Sequence, residues 1–251
     1  SIIALLSQTA LAQHVRSDLA NSQTNIKAFK PTFAKKVIQD DLVFGMTQVD
    51  KMLKDRKPMG NLVKKGDPIY NWTARQFAGE ACGERISWNP NENLGLPAGY
   101  KADHCSPSKE ERPFIRIRSN DGAGNIYDEH LLWECCIFEL QNIRNFKAFS
   151  KALDEACKGK LTKKEWVRRN AFIEYKTSLE VKKFFYLHWA PYLQSKSIDF
   201  KTHLWEVDWT PNSFESWISA YNNDPSGYPW NYWGAYYDRE IVPYLKSIQS
   251  N

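Results

Sequence analysis

Apolar positions set the first expectations. Ile38, Leu42, Met46, Val49 and Leu53 recur at three- and four-residue spacing, which predicts a helix over residues 32–56. Pro58 and Gly60 follow and end it. Residues 61–127 change character. Short β-like pieces stand between turn residues: IYNWTARQF at 69–77, ERISW at 84–88 and PFIRIR at 113–118. The last alternates, with Phe114, Arg116 and Arg118 on one side and Ile115 and Ile117 on the other, as a strand with one buried face does. SNDGAGN at 119–125 is a turn signal, and residues 89–107 read as a long loop.

A helical half follows. Asp128 stands where it can cap a helix from residue 129 to about 143, and a second helix is predicted over 146–156. Thr162 and Glu165 have capping-box spacing, in which each side chain satisfies a free amide at the other residue. Trp166, Ala171, Phe172, Tyr175, Leu179, Phe185 and Trp189 then continue a long helix, expected to end before Pro191. Residues 199–251 mix Trp205, Trp209, Trp217, Trp230 and Trp233 with Tyr, Pro and Asn. From Trp166 onward 21 of 86 residues are aromatic, against 14 of the first 165, so the aromatic load sits in the C-terminal third. The expected fold is α+β: a small antiparallel sheet packed on three or four helices, with an aromatic-rich irregular C-terminal wrap. With no Gly/Ser linker in view, residues 13–251 are read as a single domain.

Composition narrows the class. The 251 residues are 42% hydrophobic and 25% charged, which excludes a long disordered chain and a polytopic membrane protein. Net charge is +5 with the charges interspersed, so there is no basic stripe of the kind that binds nucleic acid. Residues 1–12, SIIALLSQTALA, are uncharged and mostly apolar or small. Ala10 and Ala12 stand just before Gln13, as at the end of a secretory signal and its cleavage site. The expectation is a signal-peptide remnant at 1–12 and a secreted or periplasmic protein without a transmembrane segment. The alternative is a short N-terminal helix of the mature fold.

Five cysteines fit an oxidising compartment. Cys82 and Cys105 flank the long loop and are expected to pair. Cys135 and Cys136 are adjacent on a helix and point about 100° apart, so at most one meets Cys157. Cys136–Cys157 is the pair expected. In a reducing compartment all five could stay free.

Chemistry has several candidates. His130 and Glu134 are four apart on one helix face and could hold a divalent metal, with Glu174 or His188 as third ligand. A strand followed by a carboxylate-bearing helix resembles the layout of zinc metallopeptidases. Aligned on Glu134, however, Trp133 and Ile137 stand where two histidines belong, so only a degenerate, zincin-like member is implied. The alternative is a polar pair bonded to the sheet. Glu134, Glu139 and Glu174 lie among apolar neighbours, as internal ion-pair partners or as perturbed acids or bases. Glu134 and Glu139 diverge by about 140° and do not form a carboxylate pair on their own. Cys82 with His104 is a weak thiol–base candidate, and neither a phosphate loop nor a G-x-S-x-G elbow occurs. In the tail, Tyr228, Trp230, Tyr232, Trp233 and Arg239 could form a saccharide platform, or the rings could cover the helical core. Two functions remain: an exported binding protein for a glycan or protein partner, or an exported hydrolase that is metal-dependent or carboxylate-based.

Overall fold

A computed structural model describes residues 36–91, 101–106, 112–205, 207, 210–220 and 227–249. Residues 1–12 and Trp209 lie outside this set. All described residues belong to one compact unit, 33–251.

Helix α1 runs Gln39–Asp55, with Asp40 and Asp41 in its first turn and Lys54 in its last, each complementing the helix dipole. It buries Gly45, Gln48, Val49 and Met52 against α3. A Cβ at Gly45 would lie 2.0 Å from the Ala74 carbonyl oxygen, so glycine sets how closely the two helices approach. A single turn, α2 (Met59–Leu62), links them.

Helix α3, Pro68–Phe77, occupies the stretch expected to be β-like. Its Ile, Tyr, Trp and Thr suit a strand, but the fold uses the other period: Ile69, Tyr70, Thr73, Ala74 and Phe77 are buried at helical spacing. Pro68 at the first helical position is pre-set for a helix and lacks only an amide that would have no intrahelical partner.

The sheet has the order β1–β3–β2 (Ser87–Trp88, Ala102–Cys105 and Phe114–Ile117 in chain order). Strand β2 is antiparallel to β3, with His104 opposite Ile115, and β1 is parallel to β3. Ile115 and Ile117 are buried as their alternation predicts. Arg116 on the other face is held by Asp103. Strand β2 falls inside the presumed 89–107 loop. Its sequence, ADHC, carries no apolar alternation, because it is an edge strand and all four residues are half-buried.

Helix α4, Glu129–Arg144, is capped by Asp128, whose carboxylate accepts the His130 amide at 2.9 Å. It lies in the core: Leu132, Trp133, Cys136, Ile137, Leu140 and Ile143 are buried on several sides of it, which is why its pattern shows no single apolar stripe. Helix α5 is Phe146–Cys157. Helix α6, Lys163–Phe184, starts at the expected capping box of Thr162 and Glu165. It does not stop before Pro191. A π turn at Phe185–Trp189 leads into α7, Ala190–Ser195, with Pro191 in its first turn, where the missing amide does no harm.

The result is a mixed α+β fold, a small sheet packed on several helices, with an aromatic-rich C-terminal region. That region is more helical than a loose wrap: α8 is Phe214–Ala220, π turns span Trp230–Gly234 and Tyr237–Ile241, and α9 is Val242–Gln249. Trp205 and Trp217 are sealed in the interior, so part of the aromatic load covers the helices. Among the described residues no helix is long and apolar enough to cross a membrane.

The expected disulfides are not formed: none of the five cysteines is bridged to another. The Cys82 thiol donates to the Glu84 carbonyl and that of Cys105 to the Ser106 carbonyl. Cys136 packs 3.6 Å from the Met52 sulfur, buried in the main core, while Cys157 ends α5 half-buried. The cysteines therefore lend export no support.

Candidate functional site

The proposed metal site does not assemble. Among the described residues no group of three or more His, Cys, Asp or Glu side chains could hold a metal ion. His130 is buried edge-on against Trp189, 5.9 Å between ring centres, and burial first of all lowers its pKa. His188 is exposed on the π turn, beside Phe184. Glu134 is buried and bonded to the Cys135 thiol. The metal and the zincin-like reading fall together. The Cys82–His104 pairing falls too, since the His104 ring bonds elsewhere.

What the fold does assemble is a different set. Helices α4 and α6 run parallel, and a residue on α4 faces the one about 35 positions later on α6. Thr177 Oγ1 donates to Asn142 Oδ1 at 2.8 Å, and Arg144 reaches towards Glu180. One turn before the Asn142–Thr177 bond, the same register brings Glu139 and Glu174 together, close enough for the charge of Glu139 to act on Glu174. Strand β2 then places His104 Nδ1 2.7 Å from Glu139 Oε2, with both side chains largely covered.

The C-terminal region closes the set. The indole of Trp233 is the polar group beside Glu174. It stacks on Phe149 of α5, with centres 5.6 Å apart and planes 20° apart, and Phe149 in turn lies 6.5 Å from the His104 ring. Trp233 is fixed from behind by Trp166, whose indole N–H donates to the Trp233 carbonyl at 2.8 Å. His104, Glu139, Glu174, Trp233 and Phe149 thus form a closed ring, contributed by β2, α4, α6, the first π turn of the tail and α5.

Electrostatics single out Glu174. Burial pushes Glu174 up to about 8, the Glu139 charge adds to the rise, and the Trp233 N–H opposes it. Glu174 therefore carries its proton at neutral pH. Its Oε2 and the Trp233 Nε1 are sealed from solvent without a well-formed hydrogen bond to the protein. The indole N–H and the carboxyl are each other's polar neighbour, in a geometry short of a full hydrogen bond. Glu174 is thus a neutral acid in an apolar setting, while Glu139 is held by the His104 ring.

The other expected tail residues do not join the ring. Tyr228 packs against Trp217 in a separate cluster, Trp230 is half-buried with Tyr236 and Tyr237, and Arg239 is exposed and bonded to Glu240. Tyr232 is 39% exposed and stands at 86° to Trp233. The rings form a corner instead of a shared plane. Sequence reasoning placed Glu139 and Glu174 among the candidate acids, Trp233 in the tail platform and His104 beside Cys82, and missed Phe149. The parallel register of α4 and α6, which joins the two carboxyls, has no signature in either helix alone.

Comparison with protein-family models, curated proteins and solved structures finds no match for this chain.

Proposed function

We propose that this chain is an exported glycan-binding protein, and that the ring of His104, Glu139, Glu174, Trp233 and Phe149 is its binding site. One observation carries the reading. The stacked pair Phe149–Trp233 is only half-buried, and its neighbour Tyr232 is 39% exposed. A saccharide matches this chemistry. Its C–H faces lie on aromatic rings while its hydroxyls bond to planar polar groups. Export rests on residues 1–12 alone.

The test is titration of the purified protein with a panel of neutral and acidic oligosaccharides, followed by tryptophan fluorescence and calorimetry. Binding should occur and should be lost in Phe149→Ala and Trp233→Phe variants that keep the wild-type circular dichroism. A folded protein that binds nothing in the panel overturns the reading. N-terminal sequencing of the protein from its native source should begin at Gln13, and retention of residues 1–12 would overturn export.

A further inference from the structure

We infer that His130 is an acid-sensitive switch: its protonation releases the covering segment 198–205, with Trp205, from the start of helix α4. The inference uses none of the ring residues and stands apart from the binding reading. Three observations carry it. His130, in the first turn of α4, is 2% exposed and lies edge-on to Trp189, which packs in turn on Trp133 and Trp205 at 5.7 and 4.9 Å between ring centres. Among the described residues its Nδ1 has no hydrogen-bond partner, and neither have the indole N–H groups of Trp189 and Trp205. The segment is held onto this nest at two points. The turn Thr202–Trp205 packs on α4, and the Lys201 ammonium lies 2.5 Å from Oδ2 of the α4 cap, Asp128.

This nest suits a neutral imidazole and not a charged one. Indole N–H groups donate and cannot accept. An imidazolium brings a second N–H and a full charge among them, where the surrounding aromatic side chains offer no acceptor. It also stands at the positive end of the α4 dipole. The charged and titratable groups that face His130 are Asp128 and Glu129 at the start of α4, and Lys201 and His203 from the covering segment. The two from the segment oppose its protonation, and the two carboxylates favour it, Asp128 more strongly than Glu129. Asp128 is already engaged: its carboxylate accepts the His130 amide at 2.9 Å and holds Lys201. A charged His130 therefore draws Asp128 away from Lys201 as it leaves Trp189. The tether and the packing of segment 198–205 are lost together. Burial lowers the His130 pKa below its ordinary value, in agreement with a closed state that excludes the proton.

The experiment follows amide hydrogen exchange of the full chain by mass spectrometry from pH 8 to pH 5, corrected for the intrinsic pH dependence of exchange. One proton is taken up per opening. The opening constant of peptides over 198–205 should therefore rise about tenfold per pH unit below pH 6.5, the ordinary histidine value, while peptides over 132–143 of α4 stay protected. His130→Gln, neutral throughout, should show no such rise. NMR of the wild-type imidazoles gives a second reading that needs no variant: His130 should take up its proton in step with the loss of protection. A His130 that gains its proton while 198–205 stay protected overturns the inference, as does the same acid response in His130→Gln. Protection that is unchanged over the whole range, or lost over α4 at the same pH as over 198–205, also overturns it.

Discussion

Replacing Glu174 by Gln removes a titration and keeps the shape. In the folded chain Glu174 is held up to about 8, against an ordinary value of 4.5. The folded state therefore binds one more proton than the unfolded state throughout that interval. Stability rises with pH only where the unfolded state holds more protons, so here it must fall as pH rises from about 4.5 to about 8. Each unit is worth about 1.4 kcal/mol. Between pH 5 and pH 9 the wild type should thus lose about 4 kcal/mol through this one group. Gln stays neutral throughout and loses nothing. The assay is urea unfolding of both proteins at pH 5, 7 and 9. The difference between them should grow in favour of the variant, with most of the change between pH 5 and 8. Other groups titrate in both proteins and cancel in the difference. A difference that stays flat over that range refutes the reasoning, because it would mean that Glu174 ionises alike in both states.

Further predictions test other parts of the account. Gly45→Ala places a methyl on the Ala74 carbonyl and should destabilise by about 3 kcal/mol, read by urea midpoint; an unchanged midpoint would mean that α1 and α3 do not touch there. Thr162→Ala removes half of the capping box on α6 and should cost about 1 kcal/mol in the same assay. His130 titrates with the opposite sign to Glu174. Its folded pKa lies below 6.5, so the stability it contributes is present above pH 6.5 and is lost as pH falls through the folded value, and His130→Phe should flatten that acid limb. All five cysteines should react with a thiol reagent in denaturant without prior reduction, and fewer than five would reveal a disulfide.

Local signals were readable wherever one element decides the outcome. Asp128 and the Thr162–Glu165 box mark helix starts that depend only on nearby amides, and both caps are present. Ile115 and Ile117 alternate because they share the face of β3 that joins the hydrophobic core, while Arg116 between them is buried on Asp103. Where tertiary packing decides, the pattern misled. The residues of α3 favour a strand by type, yet a helix buries them against Gly45. Pro191 looks like a stop, but a π turn carries the helix on through it. The polar strand β2 carries no alternation because both its faces are half-covered. The site shows the same division. Glu139 and Glu174 stood out singly as acids among apolar neighbours, which burial explains. Their meeting depends on the parallel packing of two helices, and the third member, His104, arrives on the edge strand.

The account stands on one protonation state. Carbon-13 NMR of the glutamate carboxyls, with Glu174→Gln identifying the resonance by its loss, reads that state directly as pH is varied. The account predicts a midpoint for Glu174 near 8, well above the other glutamates. A midpoint near 4.5 would show a solvated, ionised carboxylate and would contradict the sealed setting of Glu174.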